Sequence, residues 1–248
     1  MPVESLAARR RRAARIVEAF ARAYPDVRIE LRHRTPFQLL VATILSAQCT
    51  DKKVNEVTRE LFRRYGTPRR LAEADPAEIE ALVRPTGFYR QKARAIQGAA
   101  RAIVERFGGR VPRTLEELVT LPGVARKTAN VVLGTAFGVP ALAVDTHMKR
   151  VNQRLGLVRS KDPLKIEREL QGLVPPDQWT AYTLRVIHHG RVCCTARRPR
   201  CESCPVAELC PWPARARRGR AGRTGSARGR TAGTTTRRRR GAAGAVAR

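Results

Sequence analysis

Apolar residues recur at helical spacing along most of the chain. Leu6, Ile16, Val17 and Phe20 mark one face over residues 5–23. Phe37, Leu40, Val41, Ile44 and Leu45 do so over 36–48, and Val54, Val57, Leu61 and Phe62 over 54–65. The segment from Asp75 to Val83 opens with a capping Asp and with Pro76 at the first helical position. Ala93, Ile96, Ala100, Ile103 and Val104 predict a helix over 90–107, stopped by Gly108-Gly109. Thr114, with Glu117 three residues on, has the spacing of a capping box for a short helix to Leu121. The turn Leu121-Pro122-Gly123 then leads into a helix ending at Phe137, before the break Gly138-Val139-Pro140. Further helices are predicted from Asp145 to about Leu155, near 163–174 and near 177–190. No internal repeat is found. The chain reads as all-α with short connections.

Composition agrees. Aromatic residues are only 5% of the 248, while Ala, Leu, Arg and Glu favour helix. An apolar fraction of 42% is enough for a core, which excludes full disorder. No stretch of about 18 apolar residues predicts a transmembrane helix. Arg9 to Arg12 are followed by no apolar run, so no secretory signal is expected. The expectation is a soluble, intracellular, basic protein with no membrane partner.

Charge sharpens this. The formal net charge is +29, and 43 of the 50 basic residues are Arg. Such a skew can reflect coding-sequence composition alone. Twelve of the arginines lie in 214–248 among Gly, Ala, Thr and Ser with no acid, a composition that predicts a disordered tail. Residues 1–213 still carry +17, so a nucleic-acid partner does not depend on the tail.

Three features carry candidate chemistry. The hairpin around Gly123 would leave the next helix's first amides free for a phosphate oxygen. This is a candidate helix-hairpin-helix, which grips DNA backbone without reading sequence. Lys127 falls in that helix's first turn, where the dipole disfavours its charged form. A lysine of lowered pKa can act as an amine nucleophile; the plainer reading is an exposed Lys on phosphate. Asp145 suits the N-cap of the following helix, and a carboxylate there could also stabilise developing positive charge. Finally, Cys194, Cys201, Cys204 and Cys210 are spaced Cys-x6-Cys-x2-Cys-x5-Cys. Zinc ribbons carry two Cys-x2-Cys knuckles and this segment carries one, which favours a [4Fe-4S] cluster. Cys193 remains an alternative first ligand.

Taken in order, these residues resemble the endonuclease III branch of the helix-hairpin-helix DNA glycosylases. The matching pieces are Leu45 to Asp51, Thr86 to Tyr89 with Lys92-Ala93, Leu121 to Phe137, Val144 to His147, and His189-Gly190-Arg191 before the cysteine array. The resemblance covers about residues 15–212. It implies two helical domains: a six-helix barrel at 29–139 carrying the hairpin, and a cluster domain from 1–28 and 140–213. It implies a bifunctional glycosylase/AP lyase of base excision repair, with Lys127 attacking C1′ of a flipped nucleotide and Asp145 assisting. The four array cysteines would ligate the cluster. Gln48 would fill the vacated gap and Phe88 would be the wedge; an aromatic in an apolar seam is the plainer reading of Phe88. Gly123, Ala125, Arg126, Arg197 and Arg198 would contact DNA. The partner would be duplex DNA with oxidised pyrimidines or abasic sites, met by a monomer in a bacterial-type cytoplasm at the nucleoid.

Two departures stand out. The family hairpin usually has Gly where this chain has Ala125, and a helical conformation is expected there because Ala would then be unstrained. The Arg-rich tail lies outside the family core and is either a salt-sensitive DNA tether or a passive extension. The rivals are a monofunctional adenine glycosylase, which usually lacks lysine at position 127, and a noncatalytic DNA-binding protein that kept the fold.

Overall fold

Four of the described helices open with one device, an extended Thr or Asp N-cap followed by proline. They are α2 (Pro36–Leu45), α4 (Pro68–Glu73), α5 (Pro76–Val83) and α10 (Pro163–Gln171). Proline lacks an N–H that would be unpaired at that position, and its fixed φ suits a helix start. The other helices are α1 (Leu6–Ala23), α3 (Asp51–Tyr65), α6 (Tyr89–Phe107), α7 (Leu115–Leu118), α8 (Arg126–Phe137), α9 (Thr146–Arg154) and α11 (Trp179–Val192). The computed structural model describes residues 4–212, and no strand occurs among them. The all-α expectation holds. No described helix is long and apolar enough to cross a membrane. The tail at 214–248 lies outside the described residues.

Several boundaries differ from the periodicity. Helix α2 ends at Leu45 rather than 48, because Gln48 takes φ +51 in the turn before α3. Helix α3 begins at Asp51 rather than 54, its N-cap Thr50 accepting from the Lys53 N–H. The short α7 stops at Leu118, and α10 ends at Gln171. Thr114 caps α7 as expected, but its hydroxyl donates to the Glu117 carboxylate at 2.8 Å, so that side chain serves the hydroxyl. Helix α4 escaped the apolar pattern, since it buries only Leu71. Its Thr67-Pro68 start was the available signal.

The chain to Pro211 forms one compact unit. Its buried side chains gather into two clusters. One spans Leu31 to Ala141, with Leu40, Leu61, Ile79, Ile96 and Leu118 fully buried. The other joins Ile16 and Phe20 of α1 to Met148, Ile166, Tyr182 and Val206. In the first, α2 packs on α8 and α6 packs on α4 and α5; in the second, α11 packs on α9 and α1. Helix α8 also touches α11 closely: a Cβ added at Gly134 would lie 2.6 Å from Thr180 Oγ1.

Candidate active site and iron–sulfur segment

The hairpin is built by a four-residue turn. The Val124 N–H donates to the Leu121 carbonyl at 3.1 Å, with Pro122 and Gly123 at the corners. Gly123 has φ +74, the positive value that a type II turn requires after proline. A Cβ there would lie 2.6 Å from the Ala95 Cβ of α6, so the position also demands closeness. Leu121 and Val124 bury their side chains and leave Pro122, Gly123, Ala125 and Arg126 exposed. Ala125 is the N-cap of α8, with φ −84 and ψ 166. It is therefore extended rather than helical as expected, and its negative φ carries no strain. No side chain caps α8, so its first amides are available to an external anion.

Lys127 lies in the first turn of α8 and is half-buried. Burial is the largest influence on its amine and pushes its pKa below the ordinary lysine value. The charges of Asp145 and Asp51 pull it back up, while Arg191 pushes it down. Asp145 caps α9, accepting the Met148 N–H at 2.8 Å. One turn beyond Lys127, the buried Asn130 donates to the Leu142 carbonyl at 2.8 Å. That bond fixes the segment leading to Asp145 against α8, which brings the amine and the carboxylate to one pocket.

This pocket holds about 750 Å³, part of it open to solvent, and is also lined by Ser46, Asp51, His188 and Arg191. Arg191 of α11 donates to Glu30 at 2.5 Å and to Asp51 at 2.8 Å, partners 161 and 140 residues away in sequence. Sequence spacing could not show that meeting. Gln48 and Phe88 are the only non-glycine residues among those described with positive φ, +51 and +48. Both are exposed, Phe88 at 64%. Phe88 thus stands clear of any apolar seam. In the same turn, the buried Lys92 amine donates to the Thr86 carbonyl at 2.8 Å, a bond that sequence reasoning missed.

Arg126 does not project freely. Its Nε and Nη2 donate to Glu167 of α10, each at 2.8 Å, and the Glu167 side chain is only 6% exposed. Arg197 and Arg198 are exposed in the loop after Cys194. That loop is closed by the Arg200 N–H donating to the Cys193 carbonyl and by Thr195 Oγ1 donating to the Arg198 carbonyl.

The array cysteines are all partly buried and form no disulfide. Arg154 of α9 is buried and directs Nη1 to the Cys194 sulfur at 3.3 Å, while donating to the carbonyls of Thr195 and Ala196. A buried permanent cation beside sulfur suits thiolates rather than neutral thiols. Burial pushes the Cys204 thiol up to about 12. The donor set therefore fits an iron–sulfur group. Cys193, His189 and Cys204 also bring their donor atoms within 4.8 Å of one another.

Hairpin, half-buried lysine, carboxylate and cysteine array together define an all-α DNA-repair enzyme of the glycosylase/lyase class. Residues 41–176 match the HhH-GPD superfamily of base excision DNA repair proteins, and 194–210 match the iron–sulfur binding domain of endonuclease III. An endonuclease III from Synechocystis is 53% identical over 210 residues, covering 84% of this chain and 96% of that one. A solved non-covalent endonuclease III–DNA complex superposes with a TM-score of 0.80 at 45% identity, covering 84% of this chain and 98% of that one. A trapped endonuclease III–DNA covalent intermediate gives a TM-score of 0.80 at 44% identity, with the same coverage. The chain belongs to the endonuclease III family of base excision repair glycosylase/AP lyases, and its cofactor is a [4Fe-4S] cluster.

Proposed function

We propose that this protein removes oxidised pyrimidines from duplex DNA and nicks abasic sites, with Lys127 as nucleophile. The observation that carries this reading is a half-buried amine of lowered pKa sharing a pocket with Asp145. The uncharged amine attacks C1′ of the flipped nucleotide. The bond from C1′ to the base breaks, and the base leaves with that electron pair and takes a proton. The new amine then opens the sugar: the C1′–O4′ bond breaks, O4′ is protonated, and an iminium forms. Loss of a 2′ proton expels the 3′ phosphate, and water frees Lys127 from the iminium. Asp145 accepts the proton shed by Lys127 and stabilises the cationic sugar through the carboxylate oxygen not engaged by Met148.

In this reading the α8 amides from Ala125 onward hold a phosphate, with Gly123 permitting its close approach. Gln48 enters the space left by the flipped base and Phe88 wedges the opposite strand. Their strained backbone supports such roles, because strain of this kind collects at functional sites. Arg197 and Arg198 bind phosphate. Cys194, Cys201, Cys204 and Cys210 ligate the cluster, which when bound anchors this loop through iron–thiolate bonds. The two core clusters are the centres of two lobes flanking the DNA, and the protein works as a monomer in the cytoplasm.

A lesion panel tests the substrate. Duplexes carrying thymine glycol, 5-hydroxycytosine, 8-oxoguanine or an adenine mispair should show base release from the first two only. Release of the adenine instead would overturn the pyrimidine assignment.

A further inference from the structure

His189 is buried in α11 against the rings of Phe20 and Tyr24, with centroids 4.8 and 5.9 Å away. Its two nitrogens have different partners. Nδ1 lies 2.9 Å from the Tyr24 hydroxyl, and Nε2 lies 3.7 Å from the Cys204 sulfur. The Cys193 sulfur falls within 4.8 Å of both the Cys204 sulfur and the His189 donor. No base-excision step above uses any of these groups.

An iron-bound thiolate can only accept hydrogen bonds. Its neighbour Nε2 must therefore carry a proton, and in a neutral ring Nδ1 then accepts from the Tyr24 O–H. The arrangement is a directed chain, Tyr24 O–H to Nδ1 and Nε2–H to Cys204. A hydrogen bond to a ligand sulfur favours the more electron-rich, reduced state of an iron–sulfur cluster, and so raises its reduction potential.

We propose that His189, oriented by Tyr24, is a positioning residue that sets the cluster's reduction potential through its hydrogen bond to Cys204. The inference rests on Cys204 being a cluster ligand. Cys193, the extra thiol beside this ligand, is a second potential donor to the same sulfur. One ligand of the array is thus singled out, on the side of this segment that faces α1. A cleft lined by Arg15, Ala19 and Arg22 of α1 with Pro205 reaches Cys204 from solvent there, which opens this ligand to an electron donor or acceptor.

The test is the midpoint potential of the cluster in the full, cluster-loaded chain, free and bound to an undamaged duplex. His189→Phe keeps a flat ring and removes the donor; Tyr24→Phe removes only the hydroxyl. Both should lower the potential, His189→Phe by more. With 15N-labelled histidine, pulsed EPR of the paramagnetic cluster should show a nitrogen coupling that His189→Phe abolishes. An unchanged potential in either cluster-loaded variant overturns the proposal. If His189→Phe fails to load, Tyr24→Phe alone decides it. Iron content and visible charge-transfer absorbance of Cys204→Ala report separately on the ligand: full loading there overturns the ligand reading, whatever the potentials do.

Discussion

Arg126 of α8 and Glu167 of α10, 41 positions apart in sequence, are joined by two hydrogen bonds of 2.8 Å each. Arg126 follows the hairpin directly, and its sequence position suggested a phosphate contact. The geometry instead spends its planar fork on a nearly buried carboxylate. That pairing holds the first turn of α8, and with it Lys127, against the second core cluster.

Arg126→Ala should therefore destabilise the fold by about 2 kcal/mol, because Glu167 is left buried without its partner. The salt dependence of DNA binding should keep its slope. A phosphate-binding Arg would behave oppositely, with little loss of stability and a slope reduced by about 1. Urea unfolding and a salt titration of binding separate the two.

Gly123→Ala would place a methyl group 2.6 Å from Ala95 Cβ at a φ of +74. Both the close approach and the left-handed backbone oppose it, so a loss of roughly 2–4 kcal/mol is expected. Chemical denaturation measures this directly. A loss under about 0.5 kcal/mol, within the range of an ordinary surface substitution, would show that the turn relaxes freely.

Lys127 must be uncharged to attack, so activity should rise with pH along a limb set by its pKa. Asp51 raises that pKa and Arg191 lowers it. Asp51→Asn should therefore move the limb to lower pH, and Arg191→Gln should move it to higher pH. Single-turnover rates on an abasic duplex across the alkaline range give both signs. Shifts in the same direction would mean that Lys127 does not define the limb.

Much of this was legible in the sequence because its signals are local. Caps at Asp75, Thr114 and Asp145, the Pro122-Gly123 corner and the spacing of the four cysteines each act within a few residues. Lys127 and Asp145 both line the pocket, and each stands at a helix start that the pattern reveals. What escaped is non-local. Nothing in spacing says that Arg191 reaches Asp51, that Glu167 takes Arg126, or that Lys92 holds the Thr86 carbonyl. Ala125 was misjudged as helical since a cap and a first helical residue look alike in sequence, whereas only the cap is extended.

Borohydride trapping on duplexes with thymine glycol or an abasic site tests the imine most directly. Cluster-loaded wild type should form a covalent protein–DNA adduct, and Lys127→Gln, equally loaded with iron, should form none. An adduct that persists in Lys127→Gln, or its absence from loaded wild type, would contradict Lys127 as the nucleophile.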